Sequence, residues 1–296
     1  MREDAWVKAV SACLDRLAYE RRYSPHTLSA YRRDLEDLAR FADGQGCAAP
    51  ADMTVELARR YVASLCRAGR GGRTVARALS AARTLYRELT LRTNPFRGIK
   101  APRTPRSLPH DLTVDALQGL LCKAPADDLE LRDVAIAELL YGAGLRLSEL
   151  LQLRLTDLDF AQGLVRVTGK GRRERLVPMG HSAHTALQAW LPRRPGADPL
   201  GPVFPGPTGR PLGARAVQKR LALLGRRRGL DVPLHPHMLR HSFASHILQS
   251  SQDLRAVQEL LGHAHLTTTQ IYTHLDYQQL ARVYDAAHPR ARKRTR

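Results

Sequence analysis

A proline-rich stretch from residue 94 to residue 109 constrains the fold of this chain more than any other feature. It reads NPFRGIKAPRTPRSLP and contains four prolines. A proline fixes the backbone angle φ and has no amide hydrogen, so neither a helix nor a central strand can run through such a stretch. This composition is typical of a semi-rigid, extended linker. We therefore expect the 296 residues to form two domains joined by a linker over residues 96–112.

Residues 1–95 have the hydrophobic spacing of amphipathic helices. Apolar residues recur three and four positions apart in four stretches. The clearest helix start is Ser24-Pro25, which combines an N-cap side chain with a proline at the first helical position. The four apolar stripes consist of Trp6, Val10, Cys13, Leu14 and Leu17; Leu28, Tyr31, Leu35, Leu38 and Phe41; Leu57, Tyr61 and Leu65; and Val75, Leu79, Ala82, Tyr86 and Leu89. We expect a four-helix domain with basic outer faces.

Residues 113–288 combine helical spacing with two short alternating patterns. Residues 164–167 and 175–177 alternate as strands do, and Lys170 stands between two glycines in the connection. The sequence thus predicts a mainly α chain, in which the four-helix domain precedes an α+β domain with a small antiparallel β-sheet. A basic tail over residues 289–296 is expected to end the chain.

The net charge is +19, from 47 lysines and arginines against 28 aspartates and glutamates. An excess of this size, present in both predicted domains, indicates a polyanionic partner, and nucleic acid is the first candidate. Eight basic residues in loops, in the linker, near the hairpin and at one helix end are the candidates for contacts with DNA phosphates. They are Arg70, Arg73, Lys100, Arg172, Arg173, Arg226, Arg227 and Arg228. A basic helix end can equally serve only to offset the helix dipole.

The four cysteines show no CxxC spacing, which disfavours a zinc ribbon and a disulfide framework. Neither a signal peptide nor an apolar run long enough to cross a membrane is recognisable. We therefore expect no metal or other cofactor, no membrane contact, and a reducing, cytoplasmic environment.

Residues 235–272 concentrate the side chains best suited to phosphate chemistry. His237 and Arg240 are three positions apart on a predicted helix, so they project from one face. His263 follows the expected end of the next helix at Gly262. Arginine and imidazole groups can hold an anion with several oxygens, and a tyrosine such as Tyr272 can attack phosphorus to form a covalent ester.

Two further residues fit the same chemistry. Arg146 opens a helix, where a cation is unfavourable because that end is already positive, unless an anion binds there. Glu149 can orient the Arg146 guanidinium, or the two can form an ordinary exposed ion pair. Lys170, at the expected hairpin tip, can give a proton to a leaving alkoxide, although turn lysines are common.

These motifs together resemble the tyrosine recombinases of the phage integrase family. They are GLRLSEL, TGKGRRER, HPHMLRHSFASH, LLGHAHLTTTQIYTH and, in the first domain, SPHTLSAYRRDL. The sequence looks most like the Xer recombinases of bacterial chromosomes, the XerC type in particular, and the resemblance covers nearly the whole chain. It implies a SAM-like DNA-binding domain over residues 1–95 and a tyrosine-recombinase catalytic domain over 113–288. The family often has serine where this chain has Thr267.

The resemblance also implies a role for each of six residues. They are Arg146, Lys170, His237, Arg240, His263 and Tyr272. The two arginines would bind the non-bridging oxygens of the scissile phosphate. His237 would act as a proton acceptor or hydrogen-bond donor, and His263 would donate to the phosphate. The lysine would be the general acid for the 5′ hydroxyl, and the tyrosine would form a 3′-phosphotyrosyl link.

The partners implied by the resemblance are double-stranded DNA with a dif-like site, a second, XerD-like recombinase in a heterotetramer, and a septal DNA translocase. The activity would be resolution of chromosome dimers. The alternatives are an integrase of a mobile element, a nicking-closing topoisomerase, and a DNA architectural protein that binds without cutting. A metalloprotein using His237 and His241 is disfavoured, because there is no HExxH and no carboxylate in the motif.

Overall fold

The structure is a computed structural model, and it describes residues 3–21, 23–91, 93–102, 111–169, 174–196, 198–261 and 283–291. The chain divides into two compact units, one up to Ser107 and the other from Leu108. Helices dominate the described part of both units, and the second also contains a small antiparallel sheet. The predicted fold class is therefore confirmed. None of the described helices combines the length and apolar character that a membrane span needs.

The first unit contains the four predicted helices. They are α1 (Glu3–Tyr19), α2 (Pro25–Asp43), α3 (Val55–Arg67) and α4 (Gly72–Glu88). The start of α2 is as predicted: Pro25 takes the first helical position, and the Ser24 hydroxyl accepts a hydrogen bond of 3.2 Å from the Thr27 amide. The predicted apolar stripes are buried or partly buried in one core.

The first unit continues beyond residue 95. Phe96 is completely buried, and its ring centroid lies 5.5 Å from that of Tyr86 and 6.3 Å from that of Tyr61. The Arg83 guanidinium donates to the Phe96 carbonyl at 3.1 Å and also to the Ile99 carbonyl. The start of the predicted linker at residue 96 is therefore corrected, because this aromatic side chain completes the core of the helical unit.

Seven α-helices of the second unit have both ends among the described residues. They are α5 (Val114–Leu121), α6 (Asp128–Gly142), α7 (Leu147–Gln152), α8 (His181–Trp190), α9 (Ala214–Arg227), α10 (Pro236–Ser251) and α11 (Leu254–Leu261). Asp253 caps α11 as its position suggests, since its carboxylate accepts from the Ala256 amide at 2.9 Å. The chain is helical again over residues 283–287.

The sheet has the order β1-β2-β3, with β1 at Leu158–Asp159, β2 at Leu164–Thr168 and β3 at Glu174–Pro178. Both pairings are antiparallel, and Val167 of β2 lies opposite Arg175 of β3. The hairpin of β2 and β3 was predicted. The two-residue strand β1 is too short to produce an alternating pattern, so its sequence gave no signal.

Helix α6 is buried on nearly all sides, because it packs against α8, α9 and α10. A helix in such a position normally carries few charges, yet α6 carries three buried carboxylates that are each paired with an arginine from elsewhere in the unit. The pairs are Glu130–Arg228, Asp133–Arg220 and Glu138–Arg290. They fix the helix whose end leads into the loop of Gly144.

Residues near both limits of the described part of the second unit are held in place by hydrogen bonds. The Leu112 amide donates to the Ser242 hydroxyl at 3.0 Å, so the unit begins before residue 113. At the other end, the Ala291 carbonyl accepts from the His181 amide at 3.0 Å, and Ala291 is buried. The expected start of a tail at residue 289 is therefore corrected, because the backbone up to residue 291 packs on this unit.

Gly144 packs directly against the ring of Phe243. Its φ of +58° lies in the left-handed region, and an added Cβ would lie 2.5 Å from Phe243 Cδ1. Gly144→Ala should therefore introduce backbone strain of about 1–2 kcal/mol and a steric conflict of about 1–3 kcal/mol. We expect the free energy of unfolding, measured with urea, to fall by roughly the sum of the two.

Gly163 provides the matched control for this substitution. Its φ is +66°, but no atom lies within 4 Å of an added Cβ. In Gly163→Ala, the free energy of unfolding should fall only by the backbone strain. Equal decreases in the two variants would show that the contact with Phe243 is unimportant.

Candidate active site

The structure describes three of the six predicted site residues, Arg146, His237 and Arg240. Lys170 and the segment with His263 and Tyr272 lie outside the described residues. The described three come from two places that are distant in the chain, the start of α7 and the first half of α10.

Arg146 is the N-cap residue of α7. Its backbone amide donates to Glu149 Oε2 at 2.8 Å, and its Nη1 donates to Glu149 Oε1 at 2.9 Å. Glu149 therefore orients the Arg146 guanidinium, as one of the two interpretations predicted. The other, an exposed ion pair, is wrong, because Glu149 is only 3% exposed.

Arg240 joins the same carboxylate from α10. Its Nη1 lies 3.8 Å from Glu149 Oε2 and donates to the Gly144 carbonyl, while its Nη2 donates to the Leu261 carbonyl at 2.8 Å. The guanidinium thus holds together the loop before α7 and the end of α11. The structure brings Arg146 and Arg240 together at Glu149.

A third guanidinium, which the sequence analysis missed, binds the same carboxylate. Arg175 Nη1 donates to Glu149 Oε1 at 2.8 Å, and its Nη2 donates to Oε2 at 3.1 Å. Strand alternation could have identified this residue. Arg175 lies on the same face of β3 as the buried Val177, so a charged side chain there points inward and needs a partner.

The electrostatics of this cluster favour an anion. Burial raises the pKa of Glu149, but the hydrogen bonds from Arg175 and from the Arg146 amide outweigh this effect, and the pKa is lowered. Burial and the nearby charge of Arg146 lower the pKa of Arg240 to about 10, which still leaves it protonated at pH 7. Within the described residues, three guanidinium groups around one carboxylate leave an excess of positive charge, which an anion with several oxygens would neutralise.

His237 lies one turn before Arg240 on α10 and is exposed. His235 caps the helix, since its Nδ1 accepts from the Met238 amide at 3.1 Å. His241 Nε2 lies 3.3 Å from Asp111 Oδ1 rather than beside His237. The described residues contain no group of three potential metal ligands. On α10, His237 is thus exposed one turn before Arg240, while His241 contacts Asp111.

Most of the described candidates for DNA contacts are exposed. Arg70 and Arg73 flank the start of α4, Lys100 follows it in the first unit, and Arg226 and Arg227 occupy the last turn of α9. All five side chains are open to solvent, as a phosphate contact requires. Arg172 and Arg173 lie outside the described residues.

Arg228 does not fit the expectation of a phosphate contact. Its side chain is only 3% exposed, its Nε donates to Glu130 Oε1 at 3.0 Å, and its Nη1 donates to the Leu120 carbonyl. Its carbonyl accepts from Lys123 Nζ at 3.2 Å. The expectation for Arg228 is therefore corrected, because its guanidinium connects α5, α6 and α9 inside the unit.

Glu149→Gln tests the charge at the centre of the cluster. The neutral amide would leave three guanidinium groups without their shared counterion, and breaking a buried ion pair typically costs about 3–5 kcal/mol. Because folding lowers the pKa of Glu149, its stabilising effect is fully present above the usual pKa of about 4.3 and is lost as the pH falls through the lower folded value. The difference in unfolding free energy between wild type and variant should be largest near neutral pH and should shrink in acid.

Urea denaturation over a pH series measures this difference. Glu174→Gln is the control, because Glu174 is an exposed glutamate in the same unit, and we expect little change at any pH. A Glu149→Gln deficit that stays constant down to acid pH would contradict the role of the ionised carboxylate.

Two family models match the chain. The phage integrase family matches residues 110–279, and the phage integrase N-terminal SAM-like domain matches residues 11–93. Tyrosine recombinase XerC of Azotobacter vinelandii is 52% identical over 291 residues, which cover 96% of this chain and 97% of the relative. Tyrosine recombinase XerC of Pseudomonas fluorescens is 50% identical over 292 residues, which cover 97% of each.

Solved structures show the same architecture. The XerH site-specific recombinase bound to palindromic difH substrate, in a post-cleavage complex, matches with a TM-score of 0.64 and 23% identity, over 87% of this chain and 79% of that chain. This likeness concerns the fold alone. The two family matches and the relatives at 50% and 52% identity confirm the resemblance seen in the motifs. This chain belongs to the tyrosine recombinase family, a family of DNA strand transferases.

Proposed function

We propose that this chain is a site-specific recombinase that cuts and rejoins DNA through a 3′-phosphotyrosyl intermediate. The observation that carries the proposal is the convergence of Arg146 and Arg240 on Glu149. Two buried or half-buried guanidinium groups held by one carboxylate are prepared for the non-bridging oxygens of a single phosphate before DNA arrives. Such preorganised charge stabilises a transition state without a further reorganisation cost.

The chemical step is a transesterification. The Tyr272 phenol oxygen forms a bond to phosphorus, and its proton passes to a base, for which His237 is our candidate. The bond from phosphorus to the 5′ oxygen breaks, and Lys170 gives that oxygen a proton. His263 donates a hydrogen bond to the phosphate. One phosphate ester replaces another, so the exchange needs no ATP, and guanidinium and imidazole groups supply the charge that a metal ion would otherwise provide.

We further propose that the substrate is a dif-like chromosomal site and that the reaction resolves chromosome dimers in the cytoplasm. The support is the identity of about one half to relatives named XerC, over nearly the full length of both chains. A second, XerD-like recombinase would occupy the other half-site in a heterotetramer, and a septal DNA translocase would activate the assembly. The exposed arginines of α4 and α9 would contact the DNA backbone.

A nicked suicide duplex tests the chemistry. The short strand beyond the cut diffuses away, so the covalent protein–DNA adduct accumulates and can be quantified on a denaturing gel. Wild type should form the adduct, and Tyr272→Phe should form none, because the attacking oxygen is absent. Arg240→Ala should react about 10²–10³-fold more slowly, since one charge-matched donor is lost.

Tyr19→Phe is the matched control, because Tyr19 is an exposed tyrosine of the first unit, and it should react like wild type. The reaction is run with a strong chelator. An adduct in Tyr272→Phe would identify another nucleophile, and an absolute need for a divalent metal would contradict the proposed mechanism.

The proposed partner is tested by footprinting on chromosomal palindromes, with and without a second recombinase from the same cell. We expect each protein to protect one half-site and the second to bind more tightly when the first is present. Independent binding of the two proteins would argue against the heterotetramer and in favour of an integrase that acts without a partner.

A further inference from the structure

Arg175 anchors the beginning of an edge strand. Strand β3 pairs with β2 alone in the described sheet, and the residues on either side of Arg175, Glu174 and Leu176, are exposed. The Arg175 side chain is only 13% exposed, because it reaches Glu149 beneath the sheet. The first residue of β3 that is buried by apolar contacts is Val177. At the end of β3 nearest to Lys170 in the chain, the arginine is therefore the main side-chain attachment to the body of the unit.

The attachment has a defined geometry. The two Nη atoms of Arg175 bind one Glu149 oxygen each, at 2.8 and 3.1 Å, and this paired contact fixes direction as well as distance. The same oxygens bind the amide and guanidinium of Arg146. Because Arg175 and Arg146 bind the same carboxylate, a shift of β3 would change the position of the Arg146 guanidinium. A shift of that guanidinium would likewise change the position of β3.

Stability alone is a poor explanation for this arrangement. The Nε of Arg175 is buried and has no hydrogen-bond partner among the described residues, which is unfavourable. Replacing buried ion pairs by apolar side chains of similar volume is often neutral or stabilising. The charged Arg175 guanidinium is better explained by the fixed position that it gives β3 than by its contribution to the free energy of unfolding.

We propose that Arg175 is a positioning residue that, through Glu149, fixes the strand following Lys170 against Arg146 and Arg240. The proton transfer that the proposed function assigns to Lys170, five residues earlier in the chain, then depends on Arg175. This inference rests on the proposed function. It assigns Arg175 to the departure of the 5′ oxygen rather than to the binding of the phosphate.

The test separates these two steps by changing the leaving atom. In the normal substrate, the 5′ oxygen leaves as an alkoxide and requires a proton. In a 5′-bridging phosphorothiolate, sulfur takes the place of that oxygen and leaves as a thiolate, which is stable near neutral pH without a general acid. Adduct formation is measured in single turnover with nicked duplexes of both kinds, using wild type, Arg175→Met, Lys170→Ala and Arg146→Ala.

We expect Arg175→Met to cleave the oxygen substrate about 10–100-fold more slowly than wild type, which is the range for losing a residue that orients a metal ligand. It should cleave the sulfur substrate at close to the wild-type rate, and Lys170→Ala should show the same rescue. Arg146→Ala should remain slow on both substrates. If Arg175→Met is slow on both, or is unimpaired on the oxygen substrate, the proposal is wrong.

Arg220→Met controls for a loss of stability. Arg220 Nε binds Asp133 Oδ2 at 2.6 Å in the same unit, so its removal also breaks a buried ion pair, but one that does not involve Glu149. This variant should react normally on both substrates when rates are taken per folded molecule. If wild type forms no adduct with either substrate, the proposed function itself fails, and that result is distinct from a failure of rescue in Arg175→Met.

Discussion

The proposed active site depends on the burial of one carboxylate, Glu149, among three guanidinium groups. Glu149 caps the short helix α7 through the Arg146 amide, orients the Arg146 side chain, and binds Arg175 and Arg240. Without this carboxylate, three like charges would face one another in a partly desolvated place, and the loop of Gly144, the sheet and α10 would lose their common contact. Among the described residues, one negative charge faces three positive ones, so the cluster is held together and still attracts phosphate.

The fold explains how residues so distant in the chain reach this carboxylate. Helix α6 is fixed on nearly all sides by apolar contacts and by three arginine–carboxylate pairs, and its end leads into the loop that precedes Arg146. Helix α10 packs against α6 and brings Arg240 to the Gly144 carbonyl. Phe243, one turn further along α10, lies against Gly144, which leaves no space for a side chain there.

The sequence was sufficient to predict the structure wherever the signal lies within a short stretch of the chain. Helical periodicity predicted α1 to α4, Ser24-Pro25 was recognisable as a helix start, and the motifs identified the family. It was insufficient where burial depends on partners far away in the chain. From its place in the helix alone, Glu149 would be expected to face solvent. It is buried because Arg175, from the sheet, binds it. Arg228 belongs to a run of three arginines, and only Glu130, about a hundred residues earlier, distinguishes it from its exposed neighbours. Phe96 has no periodic neighbours at all.

The position of Phe96 matters for anyone who divides this protein into separately expressed halves. A cut after residue 95, where the periodic pattern ends, would remove the ring that fills the space between Tyr61 and Tyr86 and would deprive Arg83 of the two carbonyls it binds. The truncated fragment would have a cavity in its hydrophobic core, and the Arg83 guanidinium would lack two hydrogen-bond acceptors. A cut after Ala101 keeps the helical half intact, because Ile99 and Ala101 still pack against it.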